Sequence, residues 1–124
     1  MRVLFIEDDA MNRRVVRDML SVAGVDMVEA EDAERGLTLI DAETFDAILV
    51  DLRMPGMDGM TAMKIIRARP DAKAALPLIV VTADTAPDLA ERCRAAGADE
   101  VLFKPVAMDA LFEAIGRVMA RRAE

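Results

Sequence analysis

Strand-length, β-prone runs return five times along this chain with helical stretches between them, and that alternation narrows the fold more than any other feature. The runs are Val3-Leu4-Phe5-Ile6, Val25 to Ala30, Ala47-Ile48-Leu49-Val50, Leu78-Ile79-Val80-Val81 and Asp99 to Phe103. The third and fourth are continuously apolar, as strands covered on both faces must be, whereas Val25 to Ala30 alternates and reads as a half-buried edge strand. Between the runs, Met11, Val15, Met19 and Leu20 form a helical stripe that stops at Gly24. A second helix over 33–43 carries Leu37 and Ile40 on one face, and a third over about 60–69 takes Asp58 as its N-cap. A fourth has Pro87 in its first turn, is capped by Asp84 or Thr85 and ends at Gly97. The last carries Met108, Leu111, Phe112, Ile115 and Met119 on one stripe.

Strict alternation requires parallel strands joined by right-handed crossovers, hence a three-layer α/β sandwich. No linker, low-complexity segment or repeat interrupts the pattern, so residues 1–124 read as one domain.

Composition then removes whole classes of chemistry. There is no His, which excludes Ser-His-Asp and Cys-His triads, His-rich zinc sites and a phosphohistidine on this chain. Cys93 is the single cysteine, so an internal disulfide is impossible and a reducing, cytoplasmic setting is expected. A net charge of −7 repels phosphate backbones, and four Phe without Trp or Tyr offer little for stacking bases, so direct nucleic-acid binding is not expected. No apolar run approaches the roughly 18–20 residues of a membrane span, and no signal-peptide core is visible, so no membrane association is expected.

In a parallel sheet the C-terminal strand ends share one edge, where ligands of open α/β sheets bind. That edge would collect Glu7-Asp8-Asp9, Asp51, Thr82 and Lys104. Oxygen ligands without His or Cys select a hard cation, and Mg²⁺ commonly takes one or two carboxylates with several waters. Magnesium beside a carboxylate nucleophile and a lysine is equipment for phosphoryl transfer onto an acid.

At these residues a resemblance becomes specific. Ile6-Glu7-Asp8-Asp9, Asp51 with Met54-Pro55-Gly56-Met57-Asp58-Gly59, Val81-Thr82-Ala83 and Lys104-Pro105 resemble the receiver domain of bacterial two-component response regulators, in order and over essentially the whole chain. The resemblance implies a flavodoxin-like (βα)5 sandwich with strand order 2-1-3-4-5 and a cis bond between Lys104 and Pro105. It implies that Asp51 accepts a phosphoryl group from a histidine kinase or a histidine phosphotransfer protein. Glu7, Asp8, Asp51 and the backbone carbonyl of Arg53 would hold Mg²⁺. Lys104 would pair with Asp51 at rest and with a phosphoryl oxygen afterwards, while the Thr82 hydroxyl and the Ala83 N–H would bind the others, Thr82 moving inward. Such a domain is a signalling module rather than an enzyme with an external substrate, a monomer or weak dimer, transmitting through the fourth helix, fifth strand and fifth helix. The sequence departs from the pattern at Val101, where many receivers carry a Tyr or Phe that swings with the threonine. Output would then rest on movement of the loop and the fourth helix.

Other residues have plainer readings. Asp9 serves as N-cap of the first helix, and Met54, Met57, Met60 and Met63 fill the core and anchor the loop. Cys93 reads as a small buried hydrophobe, and Arg121 and Arg122 as complements to a helix dipole. Arg53 and Asp84 should pair across the mouth of the site and restrict attacking water. Two other functions compete. A magnesium-dependent phosphohydrolase of the haloacid-dehalogenase kind would need an acid at position 53, where Arg53 stands. A pseudo-receiver that only binds partners would have lost one of Asp8, Asp51, Thr82 or Lys104, and all are present. The sequence stops shortly after the fifth helix, so no attached output domain is expected.

Overall fold

The computed structural model describes residues 1–122. Five parallel strands, β1 (Arg2–Ile6), β2 (Asp26–Ala30), β3 (Ala47–Val50), β4 (Leu78–Thr82) and β5 (Glu100–Phe103), form one sheet in the order β2-β1-β3-β4-β5. The helices are α1 (Ala10–Val22), α2 (Ala33–Ala42), α3 (Gly59–Arg67), α4 (Leu89–Ala95) and α5 (Met108–Arg122), with a 3₁₀ turn at Ala72–Ala75. The expected three-layer sandwich and strand order are both present.

The pleat sorts the core into two halves, because successive strand residues face opposite sides. Leu4, Ile6, Ile48, Val50, Leu78 and Val80 pack beneath α2, α3 and α4, with Met63, Ile66, Leu89 and Cys93 against them. Val3, Phe5, Leu49, Ile79, Val81 and Leu102 pack beneath α1 and α5, against Val16, Leu20, Leu111, Ile115 and Val118. Side chains on β1, β3 and β4 are buried almost throughout, each Val, Leu, Ile and Phe among them contributing about 1.5–3 kcal/mol of burial. β2 is the half-buried edge strand, but burial along it does not alternate: Met27 is covered on one face and Ala30 on the other, while Asp26 and Glu29 are exposed.

Helix starts follow the acids. Asp9 Oδ1 accepts from the amides of Met11 and Asn12 at 2.8 and 3.1 Å, and Asp58 Oδ1 from Thr61 N at 2.8 Å. Gly24 and Gly97 follow helix ends with φ of +70° and +115°, conformations that β-carbons disfavour.

Three sequence expectations need correction. On α1 the buried residues are Val16 and Leu20, while Met11 and Val15 are 67% and 42% exposed. Two overlapping i,i+4 stripes exist there, and spacing alone does not choose between them. On α5 the buried stripe is Leu111, Ala114, Ile115 and Val118, leaving Met108 exposed. Helix α4 begins at Leu89, after Pro87, so neither Asp84 nor Thr85 caps it; Asp84 Oδ1 instead accepts from Ala86 N at 3.0 Å. Arg121 and Arg122 lie in the last turn of α5, where they complement its dipole, and they also make tertiary ties, Arg121 to Glu100 Oε2 at 2.8 Å and Arg122 to the Asp46 carbonyl at 2.9 Å.

Candidate functional site

Strand ends carry every candidate side chain to one edge. Glu7 and Asp8 follow β1, Asp51 follows β3, Thr82 closes β4 and Lys104 follows β5. Carboxylate oxygens of Glu7, Asp8 and Asp51 lie within 4.8 Å of one another. Glu7 and Asp51 are buried, and Asp8 is exposed at the rim. Lys104 Nζ stands 2.6 Å from Glu7 Oε1 and 3.4 Å from Asp51 Oδ2. Its nearer partner is therefore Glu7, whereas the expected resting partner was Asp51. The Lys104–Pro105 bond is cis.

One ammonium thus faces three carboxylates. Burial pushes the Glu7 carboxyl above its ordinary range, and the neighbouring Asp51 carboxylate raises it further, outweighing Lys104. Burial on its own would lower the Lys104 ammonium, but bonding to Glu7 and the charge of Asp51 outweigh it and hold the group protonated. Glu7 Oε2 is buried without any hydrogen-bond partner. An orphaned carboxylate oxygen beside two further acids, with only oxygen donors present, fits a hard divalent cation.

The flanking loops fix the mouth. The Gly59 amide donates to the Leu52 carbonyl at 3.0 Å, and a β-carbon at Gly59 would lie 2.3 Å from the Asp51 carbonyl oxygen. Glycine there lets the start of α3 press against the strand end, a constraint the Met-Pro-Gly-Met-Asp-Gly loop signal only hinted at. Arg53 Nη2 sits 3.2 Å from Asp84 Oδ2, the pairing expected across the mouth. The Asp84 carboxyl is held below its ordinary range, first by the Ala86 amide and then by Arg53. Thr82 is fully buried, its hydroxyl accepting from the Asp84 amide at 3.0 Å, and Ala83 is exposed beside it. Arg53 N is 3.5 Å from Asp51 Oδ1.

On β5, Val101 pairs with Val80 and packs on the α2–α4 side. The strand's aromatic, Phe103, instead pairs with Thr82 and is 49% exposed. Met63 is fully buried and Met54 nearly so, Met57 and Met60 pack against the same core, and Cys93 is buried with its thiol pushed up by burial, all as core fillers should be. Sequence reasoning missed Arg13, whose Nη1 donates to the Glu7 carbonyl at 2.7 Å.

Comparison with known proteins gives a consistent picture. The family model for the response regulator receiver domain matches residues 3–116. The sensor histidine kinase AruS of Pseudomonas aeruginosa is 40% identical over 95% of this chain and 12% of its own length. The virulence sensor protein BvgS of Bordetella bronchiseptica is 36% identical over 99% of this chain and 10% of its own. The chain thus spans about a tenth of these relatives. Among solved structures, the receiver domain of another Pseudomonas aeruginosa sensor histidine kinase, holding a magnesium ion in its active-site cleft, matches with a TM-score of 0.87, 29% identity and coverage of 96% and 97% of the two chains. The receiver domain of a Francisella response regulator matches with a TM-score of 0.88, 26% identity and 98% coverage of each chain.

Proposed function

The chain belongs to the response regulator receiver domain family, and on that premise we propose that Asp51 takes a phosphoryl group from a phosphohistidine on a partner protein. The observation carrying this reading is the convergence of a buried Asp51 with Lys104 at 3.4 Å and with oxygens of Glu7 and Asp8 within 4.8 Å. An Asp51 oxygen attacks phosphorus, the phosphorus–nitrogen bond of the donor breaks, and its electron pair returns to the imidazole, which then takes a proton. Catalysis here is positioning and charge neutralisation.

Each residue has a part. Lys104, held protonated between Glu7 and Asp51, neutralises oxygens of the arriving group. The Thr82 hydroxyl accepts from Asp84 N and so keeps its own proton to donate. The Ala83 amide at the mouth supplies a second donor. Glu7, Asp8, Asp51 and the Arg53 backbone carbonyl would hold Mg²⁺, which when bound neutralises developing phosphoryl charge. The Arg53–Asp84 bridge screens the acyl phosphate from water.

A histidine kinase or phosphotransfer partner would approach over α1. Exposed Met11 and Val15 lie there, beside a cleft of about 140 Å³ lined by Asn12, Val15, Lys104, Pro105 and Val106. Apolar residues left uncovered on the helix beside the Lys104–Pro105 turn suit the helical surface that must deliver a histidine. The reading takes 1–124 as one receiver unit, in the cytoplasm, as a monomer or weak dimer that catalyses only its own phosphorylation and dephosphorylation. Among the described residues no helix is long and apolar enough to cross a membrane.

Incubation with acetyl phosphate and Mg²⁺, followed by intact mass measurement, tests this. A labile phosphoryl adduct is expected on the parent and not on Asp51→Asn. No adduct on the parent, under conditions that preserve acyl phosphates, would overturn the reading.

A further inference from the structure

Backbone accounting at the end of β1 exposes a residue that none of the site motifs contains. Inside a folded domain a buried main-chain donor or acceptor needs a partner. Ile6 O accepts from Asp51 N at 3.0 Å and Glu7 N donates to Ala30 O at 2.9 Å, so the ladder is satisfied on both sides up to that amide. β2 has ended at Ala30, and no main-chain amide donates to the Glu7 carbonyl among the described residues. Arg13 fills the gap from α1, its Nη1 donating to Glu7 O at 2.7 Å. The guanidinium is anchored from behind by Glu29 of β2, whose Oε1 lies 3.5 Å from Nε, and only 17% of the side chain is exposed.

We infer that Arg13 is a positioning residue for the divalent-cation site: by holding the Glu7 main chain in place it aims the Glu7 carboxylate at Asp8 and Asp51. The inference rests on the reading of Glu7 as a metal ligand. Glu7 is the most buried of the three acids and carries the orphaned oxygen. A carboxylate so placed gains from a cation only if its backbone cannot rotate away. Groups that orient metal ligands commonly change affinity by 10–100-fold when removed.

Calorimetric titration of the whole chain with Mg²⁺ at neutral pH, alongside its metal-free melting temperature, provides the test. Arg13→Met keeps the aliphatic stem but removes the donors, and should weaken Mg²⁺ binding about tenfold. Arg13→Lys, which still presents an ammonium to the carbonyl, should recover most of that loss. Glu29→Gln, which removes the anchoring charge but leaves the Arg13–Glu7 bond, should bind Mg²⁺ within about threefold of the parent. A lower metal-free melting temperature for Arg13→Met with parental Mg²⁺ affinity would overturn the inference, leaving Arg13 a structural tie. Glu29→Gln weakened as much as Arg13→Met would also overturn it, assigning the effect to the α1–β2 ion pair. A parent that itself fails to bind Mg²⁺ would instead remove the metal reading on which the inference stands.

Discussion

The two rims of the same sheet use charge in opposite ways. At the N-terminal rim cations and acceptors are matched. Arg67 donates to the carbonyls of Gly97, Ala74 and Leu76 at 2.7, 2.7 and 2.6 Å and pairs with Asp99, whose carboxylate also accepts from Leu78 N. Arg69 bridges Asp41 and Asp71, Lys73 donates to the last carbonyls of α2, and Glu100 takes both Arg117 and Arg121 at 2.8 Å. At the C-terminal rim three carboxylates share one ammonium, and a buried oxygen has no partner. The first arrangement holds the fold together. The second leaves a deficit that suits a cation and a phosphoryl group, so local imbalance coincides with the candidate site.

The contrast is sharpest in stability. Arg67→Ala should cost about 3 kcal/mol in urea unfolding, because it strips partners from several main-chain carbonyls together. Asp51→Asn should do the reverse without metal, raising stability by about 1 kcal/mol as like charges are relieved. A destabilised Asp51→Asn would break the comparison. Mg²⁺ at ten times its Kd should stabilise the parent by roughly 1.4 kcal/mol, and Asp51→Asn should show a smaller gain in the same melting assay.

Acid should erode the matched rim through Glu100. Burial would raise this carboxyl, but bonding to Arg117 and Arg121 outweighs it and holds the group below its ordinary range. A depressed folded value means a contribution fully present above the unfolded value, near 4.5, and lost as pH falls through the folded one. Arg117→Ala should therefore flatten the acid limb of a stability–pH curve while changing Mg²⁺ affinity little. The smallest effect on stability belongs to Arg53→Ala. With 78% of the Arg53 side chain exposed, the Arg53–Asp84 bridge should hardly alter the melting temperature. The lifetime of the aspartyl phosphate should shorten severalfold instead, and an unchanged dephosphorylation rate would remove the proposed screening role.

Legibility in the sequence follows the same division. The acids of the working rim could be found because each directly follows a strand-like run, and parallel topology then places them together without any knowledge of side-chain contacts. The matched rim left no such trace. Arg67 and its Gly97 acceptor are 30 residues apart, and nothing local to either announces the other. Helix α4 starts later than its sequence suggests, because Pro87 suits a first helical turn while Asp84 is drawn away to Ala86 N and Arg53.

Strand and helix periodicity, with acids, a hydroxyl or an ammonium at the ends of four of the five strands, were enough to determine the sandwich and to gather its candidate site residues on one edge, since backbone alternation acts over a few residues. Tertiary structure alone decided which of two equivalent stripes on α1 turns inward, that Lys104 leans on Glu7 before Asp51, and that Arg13 completes the broken ladder at Glu7. Those outcomes depend on distances between elements remote in the chain, where packing and charge compete over a few ångströms and local sequence has no say.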